Sequence, residues 1–288
     1  MSANGAFETL AQNAQTVRVL SEQARALEQG QFYELSQELL HGKSTLPTSE
    51  QIRKCYAEVW GENAPSAQYA SFCSAFVSSL SDCEPLFYAL LRECGTTTGA
   101  APLKRVAYLS TAYADHAFST FSARENGLRP VLQESFSAAA EEVYYGRCGY
   151  CILPYRSSDE GHFGFFQRLL TKYNLKIALA CAEKQGDLTT HFALLRRNIA
   201  PVRQSASDLR ITLSVVCRPH EDIRLLLCAA EAVGAVTEDF TVSPLAYTDE
   251  SVSVCVTFCV NKSSITALLL FLQTSESRFS VDGIYELL

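Results

Sequence analysis

The chain has 288 residues, 48% of them hydrophobic and 19% charged, enough apolar side chain to bury a sizeable core and too much for a disordered chain. Its formal net charge of −7 argues against nucleic acid as the main partner. The longest apolar stretch, Ile265–Leu272, is far short of the ~20 residues of a membrane span, and MSANGAFETLAQNAQ has neither the basic nor the apolar region of a secretory leader. Eleven irregularly spaced cysteines, most of them inside apolar runs, read as reduced core residues of a cytoplasmic protein. Charge is uneven along the chain: −5 over residues 1–98, +4 over 99–203 and −6 over 204–288. The basic middle is the part expected to hold an anion.

Residues 1–98 read as helical. Phe7, Leu10, Ala14, Val17, Leu20, Ala24 and Leu27 step by three and four along one face, which resumes after Gly30 with Phe32, Leu35 and Leu39. Thr48-Ser49-Glu50-Gln51 has the pattern of a capping box and opens a second helix through Ile52, Tyr56 and Val59. A third helix is expected through Tyr69, Phe72, Phe76 and Leu80, and a short one over 86–94. The small residues from Gly95 to Pro102 read as a linker.

Residues 104–200 alternate. Strands are predicted over 106–110, 130–133, 150–155, 175–181 and 190–195, with helices over 114–126, 135–145 and 161–173. That rhythm predicts a parallel or mixed sheet with helices on its faces. Residues 208–288 give strand, helix, strand, strand, helix, strand, the split βαβ or ferredoxin-like order, with helices covering one face of a four-stranded sheet. The stripe Val252, Val254, Val256 and Phe258 is expected to supply an apolar surface for a homodimer. The fold class is therefore α+β/α/β multidomain.

Cys148-Gly-Tyr-Cys151 lacks a second CxxC or a nearby histidine pair and enters a strand, so core cysteine is expected rather than zinc or redox chemistry. No metal and no cofactor are expected. Arg18 and Arg25, seven apart on one helix, read as surface arginines.

From Ser135 the sequence resembles the prephenate dehydratase family. The segments that carry it are Ser135-Phe-Ser-Ala-Ala-Ala-Glu-Glu-Val-Tyr-Tyr-Gly146, Tyr150-Cys-Ile-Leu-Pro154, Ser158-Asp-Glu-Gly161 with Leu169-Leu170, and Thr189-Thr190-His191-Phe192. Val106-Ala-Tyr-Leu109 is similar to the family's first strand. The order of the three units resembles the bifunctional chorismate mutase–prephenate dehydratase: a helical domain in the mutase position, a dehydratase domain with lobes of periplasmic-binding-protein type, and an ACT domain. By that resemblance Thr190 is the proton donor toward the departing ring hydroxyl, and Ser157 and Ser158 are hydrogen-bond partners for the ligand; Arg156 and His191, expected to gather with the serines at the strand ends of the basic middle part, complete the ligand-binding set. The ligand class implied is a small aromatic carboxylate.

The sequence also departs from the family. Ser110-Thr-Ala-Tyr-Ala-Asp115 stands in place of a Gly-Pro-x-Gly-Thr loop, Arg156 and Ser157 in place of Glu and Asn, and His191 in place of Arg. Only about 30 residues separate Ser158 from Thr190, where the family has a second lobe. Arg156 and Arg168 are expected to contact an acidic neighbouring domain. In the ACT-like part, His220-Glu221-Asp222-Ile223 and Thr241-Val242-Ser243-Pro244 stand for the family's phenylalanine-binding segments. Glu221 would repel the amino acid's carboxylate. The leading expectation is a non-catalytic or regulatory relative that binds a small anion as a homodimer through the ACT-like domain. A dehydratase or mutase of phenylalanine biosynthesis with a rebuilt site, and an interaction module without a small ligand, are the alternatives.

Overall fold

The computed structural model describes residues 3–41, 45–97, 99, 103–201, 209–217, 222–244, 252–274 and 278–288. Helix α1 (Ala3–Leu40) runs without a break through Gly30. A glycine inside a helix costs about 1 kcal/mol, not enough by itself to end it. Among the described side chains of the apolar stripe expected to pack along this helix, burial is confined to its last third, where Phe32, Leu35 and Leu39 are buried. Val17, Leu20 and Leu27 are 65%, 59% and 73% exposed. Helix α2 (Ser49–Trp60) starts on the capping box: Gln51 N–H donates to Thr48 Oγ1 (3.3 Å), and Thr48 N–H donates to Gln51 Oε1 (3.0 Å). Helices α3 (Ser66–Ser78) and α4 (Glu84–Glu93) follow. Phe32, Tyr56, Trp60, Tyr69 and Phe72 form one aromatic cluster with neighbouring ring centroids 4.8–6.2 Å apart.

The middle of the chain gives β1 (Arg105–Tyr108), α5 (Ala112–Arg124), β2 (Arg129–Leu132), α6 (Phe136–Tyr144), β3 (Tyr150–Ser157), β4 (Gly161–His162), α7 (Gly164–Tyr173), β5 (Lys176–Gln185) and β6 (Leu188–Arg196). The helix predicted from Gly161 is preceded by the short strand β4 and begins at Gly164. Strands β1, β2 and β3 are parallel neighbours, β6 is antiparallel to β3, and β5 and β6 form a hairpin. The stretch between Ser158 and Thr190 is filled by β4, α7 and β5.

The C-terminal part gives β7 (Leu209–Cys217), α8 (Asp222–Ala232), β8 (Val236–Pro244), β9 (Val252–Val260), α9 (Lys262–Gln273) and β10 (Arg278–Leu287). Its four strands lie in the order β10-β7-β9-β8, each antiparallel to its neighbour. Strand β10 also pairs in parallel with β5, so the two groups of strands merge into one sheet, β2-β1-β3-β6-β5-β10-β7-β9-β8, with β4 beside β3. The join needs Gly283. A Cβ there would lie 2.6 Å from Ile177 Cβ and 2.8 Å from its carbonyl oxygen.

Period two assigns the faces. Leu209, Ile211, Leu213 and Val215 of β7 and Val254, Val256, Phe258 and Val260 of β9 form one buried cluster with α8 and α9, and the helical layer α1–α4 packs into the same cluster. The stripe expected to serve a dimer is therefore used inside the chain: Val254, Val256 and Phe258 are fully buried, and Val252 packs partly against them. Helix α5 lies on the same side of the sheet as α8 and α9, over Ile152, Phe192 and Leu194. Helices α6 and α7 cover the other side, over Leu153, Ala193, Leu195 and Tyr285.

Candidate functional site

The five candidate site residues sit where β3 meets β6. Pairing runs Pro154↔Phe192, then Arg156↔His191, then Ser157↔Thr190, so Tyr155 is an extra residue, a β-bulge. Directly opposed residues in an antiparallel pair share a face, and successive pairs alternate. Arg156 and His191 therefore lie on the α7 side, where the Tyr155 ring also packs, 5.7 Å from the His191 ring and 5.5 Å from Phe166. Thr190 and Ser157 lie on the α5 side, both buried. The Ser157 hydroxyl donates to Asp159 Oδ1, which holds the Asp159 carboxyl below its usual value. Ser158 closes the turn: its N–H donates to the Thr189 carbonyl (2.9 Å), and its hydroxyl oxygen accepts from Thr189 N–H (3.1 Å). The structure thus brings Arg156 to His191 and Ser157 to Thr190, on opposite faces of the sheet.

On the α5 side, the helix N-terminus that could receive an anion already has the chain's own groups. Thr111 Oγ1 accepts from Ala114 N–H (3.1 Å), and Asp115 in the first turn accepts from Ser110 Oγ at 3.1 and 3.2 Å. Burial pushes the Tyr108 phenol up to about 12, and its hydrogen bond to Asp115 adds to the shift. A carboxylate at this position balances the helix dipole and disfavours a second anion.

On the α7 side, Arg156 and His191 line a recess of about 60 Å³ with Tyr155, Arg210, Glu238, Asp239, Thr257, Tyr285 and Leu287. Its far wall is β8, six strands from β3 in the sheet, about 29 Å across if the sheet were flat. Coiling of the sheet and the projecting β3–β4 hairpin close that distance, and His162 Nε2 lies 2.9 Å from Asp239 Oδ1. A second bulge, at Glu238 between Thr237↔Phe258 and Asp239↔Thr257, helps to form this wall. Arg210 grips Glu238 with Nε and Nη2 at 2.9 and 3.2 Å. Tyr285 OH shares a hydrogen bond with Thr212 Oγ1 at 3.0 Å, and burial pushes its phenol up to about 12. Burial, then the charge of Arg156, holds the His191 imidazole below its usual value, in its neutral form at neutral pH. Arg156 thus faces the acidic C-terminal part of the chain, through Glu238 and Asp239, while Arg168 is exposed on α7.

At about 30 Å³ of liquid volume per water, the recess holds about two waters or one carboxylate-sized group. It is smaller than the roughly 300 Å³ at which small-molecule pockets begin. Among the described residues no group of three or more His, Cys, Asp or Glu side chains could hold a metal ion. Cys148 and Cys151 are buried, and burial raises both thiols, the condition of unreactive core cysteine. Arg18 pairs with Glu22 on the exposed part of α1.

Comparison of the whole fold places these features in context. The prephenate dehydratase from Streptococcus mutans superimposes with a TM-score of 0.55 at 14% identity, covering 64% of this chain and 98% of that one. GqqA, described as a novel type of quorum-quenching acylase, gives 0.53 at 17% identity, covering 63% and 94%. The fold is prephenate dehydratase-like. Family models and curated protein sequences return no match.

Within this fold, sequence reasoning reached Arg156 and His191 but not His162, Arg210, Glu238, Asp239 or Tyr285. Those come from strands far apart in sequence and meet only through the sheet's coiling. Of the two segments compared with phenylalanine-binding motifs, His220 and Glu221 lie outside the described residues, and Thr241-Val242-Ser243-Pro244 forms the end of β8. No helix among the described residues is long and apolar enough to cross a membrane.

Proposed function

We propose that this chain is a non-catalytic, regulatory relative of prephenate dehydratase, acting as a homodimer and binding a small anionic group. The observation that carries the reading is the division of the site. Thr190, the resembled proton donor, faces α5. Arg156, the cation that would hold a substrate carboxylate, and His191 beside it face α7. A general acid must lie within hydrogen-bond reach of the atom it protonates while the substrate is held. A backbone sheet between donor and anchor prevents that for one bound molecule.

Several features support the remaining parts. The recess at Arg156 and His191 fits a carboxylate-sized group. In the ACT-like arrangement proposed for residues 208–288, β8 is the free edge among the described strands, and Val236, Phe240 and Val242 on it are exposed. Exposed apolar residues on an unpaired edge invite pairing with another strand. The helical layer occupies the position of a mutase domain and uses its aromatic cluster for packing against α9, through Tyr69 on Phe271. The ten described cysteines are free, which suits a reducing cytoplasm.

Purified protein given prephenate is expected to yield phenylpyruvate no faster than buffer does. Turnover that disappears in Thr190→Val would overturn the non-catalytic reading.

A further inference from the structure

The recess at Arg156 and His191 is bounded on one side by a short hairpin. Ser158-Asp159-Glu160 makes its turn, and Gly161, at φ 73°, brings the chain back along β3. The returning strand β4 is two residues long and, among the described residues, pairs with β3 alone. Just past it, Phe163 N–H donates to the Tyr155 carbonyl at 3.0 Å. So short an edge opens at small cost unless a group outside the hairpin holds it.

His162 provides that hold. Its Nε2 lies 2.9 Å from Asp239 Oδ1 on β8, and the two side chains are 32% and 23% exposed. Register places His162, Arg156 and His191 in one row across β4, β3 and β6, on one face of the strands. Facing the row from β8 are Asp239 and Glu238, and Glu238 is gripped by Arg210 of β7. Burial raises the Tyr155 and Tyr285 phenols of the recess, which stay neutral at physiological pH. Histidine is the side chain that changes charge between about pH 5 and 8. Neutral or charged, an imidazole can donate to Asp239, but only the imidazolium makes a charge-assisted bond, roughly twice as strong. Arg156 and His191 oppose a further positive charge in the row, so His162 holds its proton best while it touches Asp239. Protonation and closure therefore favour each other.

We propose that β4 is a proton-controlled latch on the recess: the His162 imidazolium on Asp239 holds β4 closed, and loss of that proton lets β4 lift and the recess exchange its contents. The recess as an anion site rests on the function proposed above, whereas the latch itself needs no ligand.

The test is hydrogen exchange of the full chain at pH 6 and pH 8, read by mass spectrometry on fragments covering 160–165 and divided by the intrinsic exchange rate at each pH. The β4 amides are expected to open about three- to five-fold more often at pH 8. Asp239→Asn, which keeps the shape of the acceptor, and His162→Gln are each expected to remove the difference between the two pH values. His191→Gln is expected to keep it. Fragments from β9, over 252–260, are expected to exchange alike at both pH values and in all variants, which shows that the fold is intact. Equal opening of β4 at both pH values, a pH effect that survives in either latch variant or is lost in His191→Gln, or an effect of equal size in β9 would each overturn the proposal. Acetate, a probe of carboxylate size, is expected to slow the opening at both pH values. A pH effect without an acetate effect supports the latch and overturns anion binding at the recess; acetate protection without a pH effect overturns the latch alone.

Discussion

Asp282 is the place to test whether the sheet works as one unit. It is the extra residue of a bulge in β10, between Val281↔Leu213 and Gly283↔Thr212, and only 7% of it is exposed. Its carboxylate accepts from Gln167 Nε2 (3.2 Å) on α7, from Ser280 Oγ (3.1 Å) and from Ser214 Oγ on β7. It thereby ties a helix of the middle segment to two strands of the C-terminal segment. Its charge also opposes the burial that pulls the Lys176 ammonium down. Asp282→Ala leaves Gln167 its bond to Ser214 Oγ (2.7 Å), but removes the common acceptor and strands part of a buried network. Each buried donor left unsatisfied costs about 1–3 kcal/mol, and loss of one partner from a buried charged network about 3–5 kcal/mol. With an urea m-value near the upper end of the usual range, about 3 kcal/mol/M, the unfolding midpoint should fall by about 1–1.7 M. Asp282→Asn, which keeps one acceptor oxygen and the shape, should lose less. Unfolding should be followed both by far-UV circular dichroism and by fluorescence of Trp60, the one tryptophan, which stacks on Tyr56 in the helical layer at 4.9 Å. Trp60 is in the layer packed on α8 and α9, away from Asp282, so the two midpoints move together only if layer and sheet unfold cooperatively. A Trp60 midpoint that stays put while the dichroism midpoint falls would refute the single unit. A loss below about 1 kcal/mol would refute the structural weight given to Asp282.

Three further outcomes are expected. Because burial holds the native His191 pKa below the 6.5 of a free imidazole, the unfolded chain holds more protons between the two values; stability is full above 6.5 and declines as pH falls through 6.5 toward the native pKa. Melting temperature against pH should show that decline, and a wild-type-like decline in His191→Gln would contradict it. Phe240→Lys on the free edge of β8 should convert a particle of about twice 31.7 kDa in light scattering to a monomer, and a monomeric wild type would contradict the dimer. Gly283→Ala must push β10 from Ile177, costing about 1–3 kcal/mol in urea unfolding, and a neutral substitution would mean the β5–β10 join is looser than its 2.6 Å approach implies.

Local pattern carried much of the fold into the sequence. The capping box at Thr48 and Gln51, the strand–helix rhythm of the middle and the order of the six C-terminal elements all depend on residues close in the chain. What depends on distant residues was not legible. The alternation through Val252, Val254, Val256 and Phe258 reveals a one-sided apolar strand, but period two does not say whether that side meets the chain's own helices or another molecule. The stripe on α1 has the same ambiguity in reverse, since its spacing is equally helical at exposed Leu20 and at buried Leu35. The joining of β5 to β10 rests on Gly283 lying against Ile177, more than a hundred residues earlier, and a lone glycine in a strand signals close approach without naming the partner.

The candidate site divides between two faces for a more specific reason, and one signal of it was present. Thr190 and His191 are adjacent, so resemblance assigned both to one ligand, although neighbours in a strand point to opposite faces. Arg156 joins His191 only because the bulge at Tyr155 moves it by one position; a regular strand would have turned it toward Thr190's side. That irregularity is announced by Pro154. Strand β3 has β1 on one side and β6 on the other, so a proline there cannot donate to the ladder and is tolerated at a bulge. With Pro154 taken as the mark of a register shift, the sequence itself separates Arg156 and His191 from the hydroxyl, and the division of the site follows from one residue without a backbone N–H.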